Sequence, residues 1–212
     1  MSGLRYVVFD LDDTLIGTAD ASFAAAAAAA ERLGLVPPDR DAFDGGYREL
    51  PFQDCVERWF GPGVDFADFS EKYWAAVDYR AIGDVPALVR QLHSAGVPAG
   101  IVTNSTGTEA ARKLASAGID GELFDFVAGR PDGVTGVAPE KDLGGILAQR
   151  RIEPGTAVHV SDNPIDFAPS VRAGLPFRGV LTGVWSAVDF AAAGIPADEV
   201  HPDVHAAVRA AA

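Results

Sequence analysis

The amino-acid sequence predicts an α/β fold in which a parallel sheet lies under helical layers, and three observations predict it. Five short apolar or β-branched runs occur along the chain: Tyr6-Val7-Val8-Phe9, Ala99-Gly100-Ile101-Val102, Phe124-Asp125-Phe126-Val127, Ala157-Val158-His159-Val160 and Arg178-Gly179-Val180-Leu181. Continuous runs of this length suit strands covered on both faces. Most of them are separated by helical patterns, and strands alternating with helices give parallel βαβ units. Finally, 212 residues with 48% apolar content can build one core domain, or one domain carrying an insertion, without disulfide staples.

Each element has a local reason. Asp84 to Ala95 is predicted as a helix that Asp84 caps, with Pro86 in its first turn and Gly96 at its end. Thr106 to Ala117 ends at Gly118 and Pro164 to Ala173 at Gly174, the residue type that best adopts the left-handed turn closing a helix. The alanine runs Ala24–Ala30 and Ala206–Ala212 are good helix formers. Residues 17–83 break the alternation. No strand is expected there, only helix-like stretches separated by Pro37-Pro38, Gly45-Gly46 and Gly61-Pro62-Gly63, so the segment reads as a helical insertion after the first strand. Within it Trp59, Phe60, Phe66, Phe69, Tyr73 and Trp74 recur at helix-like spacing and are expected to form its own core.

Charge narrows the partners. Seventeen Lys+Arg against thirty Asp+Glu leaves a net charge of −13. Nucleic-acid and anionic membrane surfaces need clustered basic residues, so neither is an expected partner. A small anionic substrate fits only if the site supplies its own positive charge. Cys55 is the one cysteine, which excludes an intrachain disulfide and a multi-cysteine metal site, and it reads as a buried thiol. The N-terminus shows no signal-peptide pattern and Ala24–Ala30 is too short to span a bilayer, so a cytoplasmic location is expected. No phosphate-binding glycine loop or dinucleotide fingerprint is present.

In an open parallel sheet, ligands bind beyond the carboxyl ends of the strands. After the first predicted strand come Asp10, Leu11, Asp12, Asp13 and Thr14; after the second, Thr103, Asn104 and Ser105. Lys141 opens the helix before the fourth strand, which is followed by Ser161, Asp162, Asn163 and Asp166. Singly each has an ordinary alternative: a turn aspartate, a capping threonine, a solvated lysine, and for His159 a satisfied core histidine.

Together, in order and spacing, Asp10-Leu11-Asp12-Asp13-Thr14, Thr103-Asn104, Lys141 and Ser161-Asp162 with Asp166 resemble the four motifs of the haloacid dehalogenase superfamily. The resemblance spans essentially the whole chain. It implies a Rossmann-like core at residues 1–16 and 84–212, a helical cap at 17–83, a Mg²⁺ ion, and phosphoryl transfer through an aspartyl-phosphate. On that resemblance Asp10 is the nucleophile and Asp12 the general acid and base, which requires a proton affinity well above an ordinary aspartate. Asp10, Asp162 and the Asp12 backbone carbonyl would hold the ion. Thr103 would bond a phosphoryl oxygen and Lys141 would offset charge, with Arg130 as a less well placed competitor. Asp166 and Asn104 would support them from behind. Gly45-Gly46-Tyr47-Arg48-Glu49 resembles the turn that helical caps present to substrate, so Tyr47 and Arg48 are the specificity candidates, with Thr18 and Asp20 near the first hinge.

Three departures matter. Asp13 stands where glycine is common and reads as a solvent-facing turn residue; Lys141 lacks a following proline; Ser161 replaces a glycine or acid, leaving one carboxylate fewer near the ion. The expected function is hydrolysis of a small soluble phosphomonoester. A phosphomutase, which returns the phosphoryl group to substrate, and a non-catalytic binding protein of the same fold are the alternatives. A dehalogenase is less expected, because a halide leaving group gives Asp12 no task.

Overall fold

The computed structural model describes residues 3–50, 52–131 and 140–212; within these, the side chains of Arg48 and Glu49 are outside the description. Strand β1 (Tyr6–Phe9) is wholly buried. The chain turns through residues 10–15 into β2 (Ile16–Gly17), then forms four helices: α1 (Ala19–Arg32), α2 (Arg40–Glu49), α3 (Phe52–Phe60) and α4 (Phe66–Ala76). Strand β3 (Arg80–Ala81) pairs antiparallel with β2. The remainder alternates: α5 (Val85–Ser94), β4 (Ala99–Thr106), α6 (Gly107–Ser116), β5 (Val127–Arg130), α7 (Leu143–Arg150), β6 (Ala157–Ser161), α8 (Phe167–Arg172), β7 (Phe177–Val180), α9 (Ala187–Ala192), β8 (Val200–His201) and α10 (Val204–Ala211).

Six strands form one parallel sheet in the order β5-β4-β1-β6-β7-β8. The chain builds outward from β1 to β5, then returns to lay β6 on the other side of β1. That reversal makes a crevice at the carboxyl ends of β1 and β6, the place where doubly wound sheets bind ligands. The α/β, Rossmann-like reading of the sequence is correct.

Two glycines show how closely the layers pack. A Cβ at Gly100, in β4, would overlap the Phe126 ring, and one at Gly179, in β7, would overlap Phe190. Under the sheet Tyr6, Val8, Val102, Phe126, Leu143, Leu147, Ala157 and Leu175 make a continuous buried cluster. Residues 18–79 form a separate compact unit. Its core brings the buried alanines Ala25, Ala26, Ala29 and Ala30 of α1 against Phe43, Val56, Phe69 and Tyr73. Small side chains on that stripe let the aromatic faces approach closely. No described helix is long and apolar enough to cross a membrane.

The structure corrects several details. Residues 17–83, expected to lack strands, contribute Gly17 and the whole of β3. Two-residue strands are too short to leave an alternation in the sequence, and β8 was invisible for the same reason. The third strand, expected at Phe124–Val127, runs at Val127–Arg130, although Asp125 N and Phe126 O already bond to β4. Pro164–Ala173 is split into a 3₁₀ turn at Pro164–Asp166 and α8. Gly45-Gly46-Tyr47, expected as a turn, lies inside α2. A Cβ at Gly46 would stand 3.1 Å from Trp59 Nε1, so that glycine permits the approach of α2 to α3 rather than breaking the helix.

His159, in the middle of β6, is fully buried. Ser170 Oγ donates to the Asp166 carbonyl at 2.6 Å, so its 2.7 Å contact with His159 Nδ1 makes the imidazole the donor. Nε2 is then a bare acceptor, and it is buried without a partner. The expectation of a fully satisfied core histidine is therefore half met. Burial lowers its pKa from 6.5 to about 4, with nearby Asp166 opposing and Lys141 adding to the effect. The unfolded chain takes up this proton near pH 6.5 while the native state resists it until about pH 4, so stability falls as pH drops through that window. Relative to His159→Asn, which keeps a donor toward Ser170, the wild type should lose about 3 kcal/mol between pH 6.5 and pH 4 in urea denaturation. Parallel pH profiles would show that the histidine is not the group responsible.

Candidate active site

The sheet brings the strand ends together. Asp10 continues the β1 ladder, its N–H donating to the Val160 carbonyl at 2.9 Å, and its side chain is buried. Beyond it the chain reverses tightly: Leu15 and Ile16 N–H groups both bond the Leu11 carbonyl, and Asp13 N–H bonds the Ile16 carbonyl. Asp13 takes a left-handed conformation, φ 54°, which aspartate tolerates better than most residues. It is buried rather than solvent-facing as expected, because Thr182 Oγ1 donates to its carbonyl and Gly183 packs on its Cβ.

Lys141, just before the Asp142 N-cap of α7, is the hub. Its Nζ lies 2.7 Å from Asp10 Oδ1 and 2.6 Å from Asp166 Oδ2, with all three side chains at most 8% exposed. Arg130, the competitor, is directed elsewhere, donating from Nε to the Asn104 carbonyl at 2.6 Å. Burial pushes the Lys141 ammonium toward losing its proton, but Asp10 and Asp166 more than offset it and hold it firmly charged. Burial likewise pushes Asp166 up, and Lys141 with a bond from Ser161 brings it below the usual carboxylate range. Asp10 keeps a raised pKa of about 7, because burial, with Asp166 and Asp12 adding like charge, outweighs the pull of Lys141.

Ser161 explains its own presence. Its Oγ donates to Asp166 Oδ2 at 2.7 Å and accepts from the Asn163 N–H at 3.1 Å, fixing Asp166 on the lysine. Asp162, next along, is buried and its pKa is raised well above normal by burial and by the charges of Asp10 and Asp13. Thr14, the last residue of the first motif, holds it: the Asp162 N–H donates to Thr14 Oγ1 at 2.9 Å, and that hydroxyl reaches Asp162 Oδ1 at 3.3 Å. A Cβ at Gly183 would overlap the Asp162 carboxylate, so the loop after β7 leaves that side chain its space.

The second motif faces Asp12. Thr103 Oγ1 lies 3.5 Å from Asp12 Oδ2 and accepts from the Ser105 N–H at 3.1 Å. Thr103 is not a helix cap; Thr106 takes that role for α6, with Glu109 completing the capping box. Ser105 Oγ donates to Asp12 Oδ2 at 2.8 Å, and Lys113 Nζ, from α6, reaches Asp12 Oδ1 at 2.5 Å. Burial would raise Asp12, but Lys113 and Ser105 outweigh it and hold the carboxyl below its usual range. The expected raised proton affinity is thus not found. Lys113 went unnoticed because it lies eight residues past Ser105 on a helix, with no motif spacing to mark it.

The specificity candidates belong to the helical unit. The Tyr47 hydroxyl is 2.8 Å from Thr18 Oγ1 and its ring stacks on Phe43. Asp20 pairs with Arg40 at 2.5 Å. The Arg48 side chain lies outside the described residues.

The fold is thus a doubly wound, Rossmann-like parallel sheet with a buried carboxylate–lysine–carboxylate chain at its switch point. The family model for haloacid dehalogenase-like hydrolases matches residues 7–180, and the chain belongs to that family. It is 28% identical over 194 residues to the N-acetylmuramic acid 6-phosphate phosphatase of Pseudomonas aeruginosa, covering 85% of this chain and 83% of the relative. Among solved structures it is similar to a predicted phosphoglycolate phosphatase from Haemophilus somnus, with TM-score 0.73, 17% identity and 96% of each chain covered. A haloacid dehalogenase-like hydrolase from Streptococcus pneumoniae gives TM-score 0.68 at 19% identity, over 92% of this chain and 93% of that one.

Replacing Lys141 by methionine leaves two buried carboxylates without their cation, which typically costs about 3–5 kcal/mol. In metal-free buffer at pH 7, Lys141→Met should lower unfolding stability by that order in urea titration. An unchanged midpoint would mean that the ammonium does not hold these carboxylates together.

Proposed function

We propose that the protein is a Mg²⁺-dependent phosphatase that hydrolyses a small phosphomonoester through a phosphoaspartate on Asp10. The observation that carries this reading is Lys141 bridging Asp10 and Asp166 while Asp162 stands at the end of the neighbouring strand. Kinship with a phosphatase supports it.

The donor chemistry fits Mg²⁺. The charge of Asp10 adds to burial in opposing ionisation of Asp162, and the Asp12 backbone carbonyl is the third oxygen assigned to the ion. Mg²⁺ commonly takes one or two protein carboxylates and leaves its other positions to water and phosphate. When bound, the ion would neutralise charge on the phosphoryl oxygens.

The remaining chemistry belongs to the chain. Asp10 attacks phosphorus; the Asp10 O–P bond forms as the ester P–O bond breaks. The leaving alkoxide takes its proton from Asp12. The dianionic ester beside Asp12 works against Lys113 toward the protonated form this step needs. Water then attacks the phosphoaspartate and gives its proton to Asp12, releasing inorganic phosphate. Lys141 keeps Asp10 oriented and compensates charge, and Thr103 supplies a hydroxyl to a phosphoryl oxygen. Asp166 acts by fixing Lys141, and Asn104, in β4, by accepting at its carbonyl from Arg130 at the end of β5. The helical insertion, read from sequence at 17–83, serves as the cap that selects the ester, with Tyr47 and Arg48 as candidate contacts. A sugar phosphate or similarly small soluble metabolite is the substrate class, and the cell interior the place of action.

Phosphate release from a panel of small esters should require Mg²⁺ and fall at least 10³-fold in Asp10→Asn. Inactivity of the Mg²⁺-loaded protein across the panel would refute the reading, and isomerised sugar phosphate with little free phosphate would replace it by a mutase. Gly183→Ala offers a second test. A Cβ there would overlap the Asp162 carboxylate and stand 3.0 Å from Asp13 Cβ, so the Asp162 carboxylate should be displaced. Activity should then need at least tenfold more Mg²⁺ for half-saturation, whereas an unaltered Mg²⁺ dependence would remove Asp162 from the metal site.

A further inference from the structure

Lys113 stands outside every motif that marks the site. Its Nζ nevertheless lies 2.5 Å from Asp12 Oδ1 and 2.8 Å from Ser105 Oγ, and Ser105 Oγ donates to Asp12 Oδ2 at 2.8 Å. The three side chains close a ring in which each oxygen of the Asp12 carboxylate has its own donor. Rotating the carboxylate about its last bond would break one or both bonds. The ring is rigidly mounted. Helix α6 is fixed at its start by the Thr106–Glu109 capping box and along its inner face by buried Ala110 and Leu114. The Lys113 side chain is 13% exposed, so water screens the pair weakly.

A general base has to aim a lone pair at the proton it removes, and displacement by about 1 Å can cost 10²-fold in rate. Asp12 sits on the turn after β1, outside the strands of the parallel sheet. We infer that Lys113, together with Ser105, is a positioning residue that holds the Asp12 carboxylate in the orientation from which it takes the proton of the hydrolytic water. This rests on the phosphatase reading above. It assigns Lys113 to the second half-reaction, in which the phosphoaspartate O–P bond breaks, the water oxygen bonds phosphorus and the water proton passes to Asp12.

The two halves can be separated by the leaving group. p-Nitrophenolate departs without needing a proton, so with p-nitrophenyl phosphate Asp12 is required only for the second half. Lys113→Met keeps the aliphatic stem and removes the ammonium. Its kcat should fall at least tenfold further than its kcat/KM, because kcat/KM reports only the steps up to phosphorylation of Asp10. The fraction of protein carrying one phosphoryl group, read by intact mass after acid quench, should rise in the steady state. Lys113→Arg should regain part of kcat, and Ser105→Ala should move both readouts the same way by less. A merely structural role would lower kcat and kcat/KM together with no gain in phosphoprotein, and that result overturns the assignment. Should Lys113→Met lose its cooperative melt, Lys113→Arg and Ser105→Ala decide by the same two readouts. Absence of phosphate release by the wild type on any ester would instead overturn the phosphatase reading, and this assignment with it.

Discussion

Charge compensation by Lys141 at the end of β1 is the constraint on which the site depends. Four aspartates, Asp10, Asp13, Asp162 and Asp166, are buried at the carboxyl ends of β1 and β6. Carboxylates packed this way resist ionisation, and one ammonium bonded to Asp10 and Asp166 keeps part of the cluster charged. Around it the smaller contacts follow. Ser161 fixes Asp166, Thr14 fixes Asp162, and the loop after β7 gives up a side chain at Gly183. His159, directly below in β6, is kept neutral by the same burial and is joined to the cluster through Ser170 and the Asp166 carbonyl.

The site thus has two cationic anchors with different reach. Lys141 comes from the approach to α7 and serves the buried pair; Lys113 comes from α6 and serves the more exposed Asp12. Their separation divides the labour that the proposed chemistry requires. One anchor works on the group that carries the phosphoryl transfer, the other on the group that moves protons. The acidic balance of the chain, −13 overall, takes on meaning here. A fraction of it is concentrated where an added cation and a phosphate would complete the electrostatics. The rest favours solubility.

The sequence by itself determined the parallel sheet, the family and the identity of the acidic residues at the strand ends. Those features are written locally: apolar runs of strand length, Asp84 and Thr106 at helix starts, Gly96, Gly118 and Gly174 at helix ends, and aspartates a fixed step beyond a strand. What depended on contacts between distant segments was decided only by the tertiary structure. It placed Gly45-Gly46 inside α2, where Gly46 lets Trp59 of α3 come close, and it buried Asp13 under the loop after β7. It also brought Lys113, a hundred and one residues along the chain, onto Asp12 and so inverted the protonation expected of that carboxylate. Strand-end spacing fixes which side chains share a rim. The charge each one carries is set by its neighbours in space, and sequence separation holds no record of them.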